Sequence, residues 1–241
     1  MTKPLCATCC ALLCASVALA NTDTFTATGT SSGGATQNAS ATFVTGTGTL
    51  SITLQNLLSN PRTIGQDISG IFFTLSSGAT NGSLTSSSGI ELNIARNGHY
   101  SIGPTVSTGW ALTSSGGTLV LQVLNTPEAP EHTIVGTSSN GTYSGGTYSR
   151  ANSSLTGNGP HNPFLESGAT FNLAVLGATS STRVTSATFV FNTVAGDTRA
   201  GINPTTVPEP ATEMLLLIGA VSAAGFLYHR RSKAIKGSNE T

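Results

Sequence analysis

Apolar residues recur at every second position through the middle of this chain. Leu50, Ile52 and Leu54 fall on one side of the stretch Gly48 to Gln55, with Thr49, Ser51 and Thr53 on the other. Ile71, Phe73 and Leu75 repeat the pattern, as do Leu119, Leu121 and Val123, then Phe171, Leu173 and Val175, then Phe189 and Phe191. A period of two puts alternate side chains on opposite faces of an extended strand, and Val, Ile, Phe and Thr fit a half-buried pleated surface. Turn-forming clusters separate the runs: Ser76-Ser77-Gly78, Asn81-Gly82, Ser114 to Gly117, Ser139 to Gly146 and Asn158-Gly159. No segment before Met214 has helical spacing. The pattern predicts an all-β fold, an antiparallel β-sandwich over residues 41–200. Its inward side should hold Leu50, Ile52, Leu54, Phe73, Leu119, Leu121, Phe171, Leu173, Phe189 and Phe191. A β-helix is the alternative, but no fixed short repeat supports it. Residues 21–40 and 137–158, dominated by Gly, Ser, Thr and Asn, read as flexible.

Charge narrows the partners. Only 8% of the chain is charged, against about 25% in an ordinary soluble protein. The net charge is zero. Nucleic acid needs a basic face, which is missing, so no nucleic-acid partner is expected.

The two ends carry topological signals. Lys3 precedes an apolar run from Leu5 to Leu19, and Ala18-Leu19-Ala20 then stands before Asn21. A basic start, a short apolar stretch and an A-x-A site define residues 1–20 as a secretory signal peptide, cleaved between Ala20 and Asn21. All four cysteines, Cys6, Cys9, Cys10 and Cys14, lie inside it. The mature chain should therefore hold no disulfide, although export would permit one. At the other end, Met214 to Tyr228 is free of charge, and Arg230, Arg231, Lys233 and Lys236 follow. Residues 214–229, including Leu215, Leu216, Leu217 and Ile218, read as a single transmembrane helix, a little short of the roughly 20 residues that span comfortably. The basic tail, 230–241, acts as a stop-transfer signal and stays cytoplasmic, which leaves the body outside. The linker 201–213 contains Val207-Pro208-Glu209-Pro210. Its prolines keep the backbone extended and deny it ladder hydrogen bonds, so it is open to a processing enzyme.

Pro208-Glu209-Pro210, then Leu215 to Leu227, then Arg230-Arg231 resemble the C-terminal signal of PEP-CTERM proteins. The resemblance implies recognition by an exosortase, a membrane-embedded cysteine transpeptidase-like enzyme of Gram-negative bacteria that make exopolysaccharide. It covers residues 207–233 and says nothing of the body. The body itself is similar, in scattered blocks, to a group of exosortase-dependent surface proteins. The blocks are GTLSITLQN, IGQDISGIFFTL, Gly109-Trp110, TPEAPEHTIVG and Gly159 to Phe164. This second resemblance implies a surface role and no particular reaction.

Catalytic patterns are sparse. Gly29-Thr30-Ser31-Ser32-Gly33 fits G-x-S-x-G, but that motif works between a strand and a helix of an α/β hydrolase. Glu131, His132 and His161 would suit a divalent metal if they met, yet no metal-binding spacing supports this, and loop-anchoring hydrogen bonds are the plainer reading. Glu128 and Glu131 would need a cleft and a separation of about 5–9.5 Å to cleave a glycoside. His99-Tyr100 and Trp110 are the candidate sugar-stacking platform, though a lone tryptophan in a β protein more often packs in the core. Triplets beginning at Asn38, Asn81, Asn140 and Asn152 fit the N-x-[ST] acceptor pattern. Taken together, the sequence predicts an exported, non-enzymatic cell-surface or extracellular-matrix protein with no cofactor and no metal. Its expected partners are an exosortase, the inner membrane in transit and exopolysaccharide. A secreted carbohydrate-binding module or hydrolase is the alternative.

Overall fold

The computed structural model describes residues 20–140, 146–194 and 196–203. The chain divides into two compact units, Met1–Pro204 and Thr205–Thr241, and the second lies wholly outside the described residues. The first is all-β. Its strands are β1 (Asn21–Thr30), β2 (Thr36–Gly46), β3 (Thr49–Asn56), β4 (Ile68–Leu75), β5 (Gly82–Ile94), β6 (Tyr100–Val106), β7 (Ala111–Ser115), β8 (Thr118–Gln122), β9 (Ile134–Val135), β10 (Phe164–Val175), β11 (Val184–Phe191) and β12 (Thr198–Ala200). The helical elements among the described residues are two single 3-10 turns, Ile64–Gln66 and Gly159–His161.

Two walls face each other across one core. The first runs β1-β2-β3-β10-β5-β6 and the second β12-β11-β4-β8-β7. The inward positions expected from the alternation are all buried, from Leu50, Ile52 and Leu54 on β3 to Phe189 and Phe191 on β11. Phe43 of β2 meets Phe73 of β4 with ring centroids 5.3 Å apart, and Phe25 of β1 packs edge-on against Phe43 at 5.8 Å. The period-two pattern thus turns into apolar faces that exclude water only when the walls close on each other.

Three expectations need correction. First, the hydrogen bonding is mixed and continuous, not that of two separate antiparallel sheets. β9 runs parallel to β10 at Leu165 and Glu166, while its Ile134 pairs antiparallel with Ile68 of β4. Ile134, Ile68 and Leu165 are all fully buried, so this short apolar staple sits where the walls meet. A two-residue strand has no period to read. Secondly, residues 21–40 are not flexible. They form β1 and the start of β2, which pair from Asn21↔Thr45 to Thr30↔Thr36. Their inward side carries Asp23, Phe25, Ala27, Gln37 and Ala39. Small and polar residues on that side erase the hydropathy contrast that exposes other strands in the sequence. The domain also runs past residue 200, since Ile202 pairs with Thr26. Thirdly, the stretch 137–158, whose residues 141–145 are outside the described set, is anchored on both sides of that gap. Tyr148 donates from its hydroxyl to Gly136 O at 2.8 Å. Tyr148 and Leu155 enter a second buried cluster with Leu92, Ile94, Val135 and Phe164.

One acid is enclosed at the start of β4. Asp67 is fully buried, and among the described residues neither carboxyl oxygen has a well-aligned hydrogen-bond partner. Burial drives its pKa well above the usual carboxylate range, and the Thr133 hydroxyl acts in the opposite sense without offsetting it.

Replacing Phe43 with Ala should cost about 3–5 kcal/mol, because the cavity opens at the meeting of the walls. Thr53→Ala on the outer face should stay within about 0.5 kcal/mol. Urea titration of both variants checks this, and equal losses would contradict the layered packing. Asp67 makes a second prediction. Its raised folded pKa gives a stabilising contribution that is complete below the unfolded value of about 3.8. That contribution is lost as pH rises through the folded value. The domain should therefore weaken from mild acid towards neutrality. Asp67→Asn should flatten that slope and raise stability at neutral pH. Melting curves across pH that coincide for the two chains would refute it.

Candidate functional site

The described residues show where the chain enters and leaves the domain. Ala20 is exposed, and Asn21 opens β1. Asn21 donates from Nδ2 to Asp23 Oδ2 at 3.0 Å and to Thr182 O at 3.2 Å. Asp23, almost wholly buried, takes the backbone N–H of Val184 at 2.8 Å and faces Arg183 Nε at 3.1 Å. A carboxylate out of water is tolerable only when paired and hydrogen-bonded in this way. The pairing fixes the expected mature N-terminus to the loop between β10 and β11. At the far end of the sequence, Ile202 donates to Thr26 O at 2.7 Å and accepts from Thr26 N at 2.9 Å. The bridge is antiparallel, so the chain at Asn203 runs along β1 back towards Asn21. Both termini of the domain therefore serve the same end of it.

The predicted sorting and anchoring residues lie beyond this point. Val207, Pro208, Glu209 and Pro210, together with Leu215, Leu216, Leu217, Ile218, Arg230, Arg231 and Lys233, fall outside the described residues, as does Ala18. Among the described residues no helix is long and apolar enough to cross a membrane.

The catalytic candidates are scattered. Ser31 lies in the hairpin between β1 and β2, where its Oγ accepts from Ala35 N at 3.1 Å. A strand follows it, not the helix a nucleophile elbow needs. His132 and His161 do different jobs. His132 places Nδ1 3.0 Å from Thr108 O and Nε2 3.3 Å from Glu91 Oε1. Trp110 returns the contact by donating from Nε1 to His132 O at 2.9 Å. Its indole is buried against Phe171, ring centroids 4.9 Å apart, and so offers no face to a sugar. Glu128 packs beside Gly109, whose φ of +69° and lack of Cβ both matter there. His161 instead meets the Asn158 side chain, and burial lowers its pKa. Among the described residues no group of three His, Cys, Asp or Glu side chains comes close enough to share a metal. Burial raises the pKa of Glu166 on β10, and no Asp or Glu lines any of four surface depressions of about 360–470 Å³. Glu91, the partner of His132, was not singled out by sequence. It sits at an ordinary position of a strand, and only the fold carries it to residue 132.

Residues 206–231 match the PEP-CTERM protein-sorting motif. The motif supports exosortase-dependent sorting of an exported protein, and it begins three residues after the described domain ends at Asn203. Comparison with curated proteins and with solved structures finds no match.

Proposed function

We propose that this chain, carrying a PEP-CTERM sorting motif, delivers its β domain to the cell surface or extracellular matrix, where the domain acts without catalysis. The motif at residues 206–231 is the observation that carries the reading. Met214 to Tyr228 serves as a temporary anchor, the basic tail fixes the topology, and an exosortase reads the extended Pro208-Glu209-Pro210 segment on the outer side. The domain is a β-sandwich with one mixed staple, and it is cargo. Its association is with exopolysaccharide. The outer face of the first wall supports that choice, because it carries an uncharged row of hydroxyls in register across neighbouring strands: Thr24, Thr42, Thr53, Thr170 and Ser88. An aromatic carbohydrate-binding platform is less favoured, since Trp110 is enclosed.

Changing Pro208, Glu209 and Pro210 together to Ala should leave export and insertion intact but block processing. Full-length protein should then accumulate in the inner membrane, with surface display reduced at least tenfold. Deleting Arg230 to Lys236 should act differently, giving mixed orientation or slippage through the membrane. Fractionation and surface labelling of the two variants read this out. Wild-type display by the alanine variant would reduce the motif to a linker.

A further inference from the structure

We infer that the end of the domain where the chain enters and leaves rests on the lipid surface, with Leu176 as its apolar contact. The inference rests on the reading of Met214 to Tyr228 as an anchor, and it adds an orientation and a contact residue.

Leu176 is the most exposed large hydrophobic side chain among the described residues, at 82%. It is held there by a frame. Ala178 N donates to Val175 O at 3.1 Å, closing a tight turn with Leu176 and Gly177 at its corners. Gly177 has φ +85°, which an L side chain rarely adopts. Val175 N bonds to Gly48 O, and Gly48 N to Ala178 O, both at 2.9 Å, so the turn is tied to the hairpin between β2 and β3. Leu176 N donates to Asn81 O at 3.3 Å, tying it to the loop between β4 and β5. These backbone bonds to two neighbouring loops fix the turn that presents Leu176 to solvent.

The surroundings suit a lipid surface. The loops at this end, Thr47-Gly48, Ser76 to Asn81, Gly116-Gly117 and Gly177 to Thr182, contain no charged residue. Arg183 is the exposed charge beside them, its partner Asp23 being buried. The Arg183–Asp23 pair is neutral as a whole, and no exposed carboxylate in these loops repels anionic headgroups. The opposite end is unlike it: its loops carry Arg62, Arg96, Glu128, Glu131, Arg150 and Asp197.

Chain geometry supplies the last step. The chain leaves the domain at Ile202 heading towards this end. Between Asn203 and Met214 stand ten residues, which reach at most about 35 Å when fully extended. A single leucine and one arginine would not hold a free domain on a membrane. On so short a tether the contact becomes intramolecular, and a weak patch suffices at the high effective concentration. Processing would cut the tether and release the contact, so the same residue serves a protein in transit without fixing it permanently.

The test uses the mature chain, Asn21 to Thr241, which contains no cysteine, reconstituted into vesicles of phosphatidylethanolamine and phosphatidylglycerol. One version carries an environment-sensitive nitrobenzoxadiazole label through Leu176→Cys, and a control carries it through Asn97→Cys at the charged end. Flotation reports anchoring independently. The expected result is flotation of both, with the emission at 176 shifted to the blue and quenched by nitroxide lipid, and the emission at 97 unchanged from water. Flotation with both labels in water would overturn the inference and leave the anchor standing. Failure to float would overturn both. Leu176→Ser should keep the melting temperature of the parent while a label at position 47, placed through Thr47→Cys, loses at least half of its lipid quenching. Unaltered quenching would also count against the inference.

Discussion

The rings of Phe43 and Phe73 meet in the middle of the domain, 5.3 Å apart, and everything else is arranged around that closure. Residues 21–241 contain no cysteine, so the domain they form is held without a disulfide of its own. With 8% charge, surface ion pairs are few as well. What holds the strands is the burial of one face of each wall against the other, an effect that scales with apolar area and has no direction of its own. Direction comes from the ladder registers and from two joints: the parallel pairing of β9 with β10 on one side and the Thr26–Ile202 bridge on the other. The second joint draws the last described residues into the fold, so the sorting segment starts almost where the sheet stops.

Much of this was legible in advance, and the reason is contrast. Leu50, Ile52 and Leu54 alternate with Thr49, Ser51 and Thr53, and the inward side reads off directly. β1 alternates just as strictly, but its inward residues are Asp23, Phe25 and Ala27 against threonines. An acid and an alanine carry no hydropathy signal, although Asp23 earns its buried place through Val184 N and Arg183. The staple at Ile134–Val135 is too short for any period. The link from Glu91 to His132 spans residues far apart in sequence and depends wholly on how β5 and the β9 approach are brought together. The sorting motif was the reverse case. Its prolines, apolar stretch and arginines act through order and spacing along the chain, so it could be read without any fold.

The molecule therefore separates two tasks. The β domain, whose outer face carries an uncharged row of hydroxyls, is the proposed cargo. A short C-terminal segment supplies the address, and residues 206–231 match the PEP-CTERM sorting motif. The buried Asp67 sits apart from both, and burial holds its pKa well above the usual carboxylate range.

The central claim is that the C-terminal segment is an address removed on delivery. The most direct measurement is the intact mass, with peptide mapping of both ends, of protein recovered from the surface of the producing cell. The account predicts a chain that starts at Asn21 and lacks Met214 to Thr241, ending within the Pro208-Glu209-Pro210 neighbourhood. Surface protein that still carries Arg230 and Arg231 would contradict it.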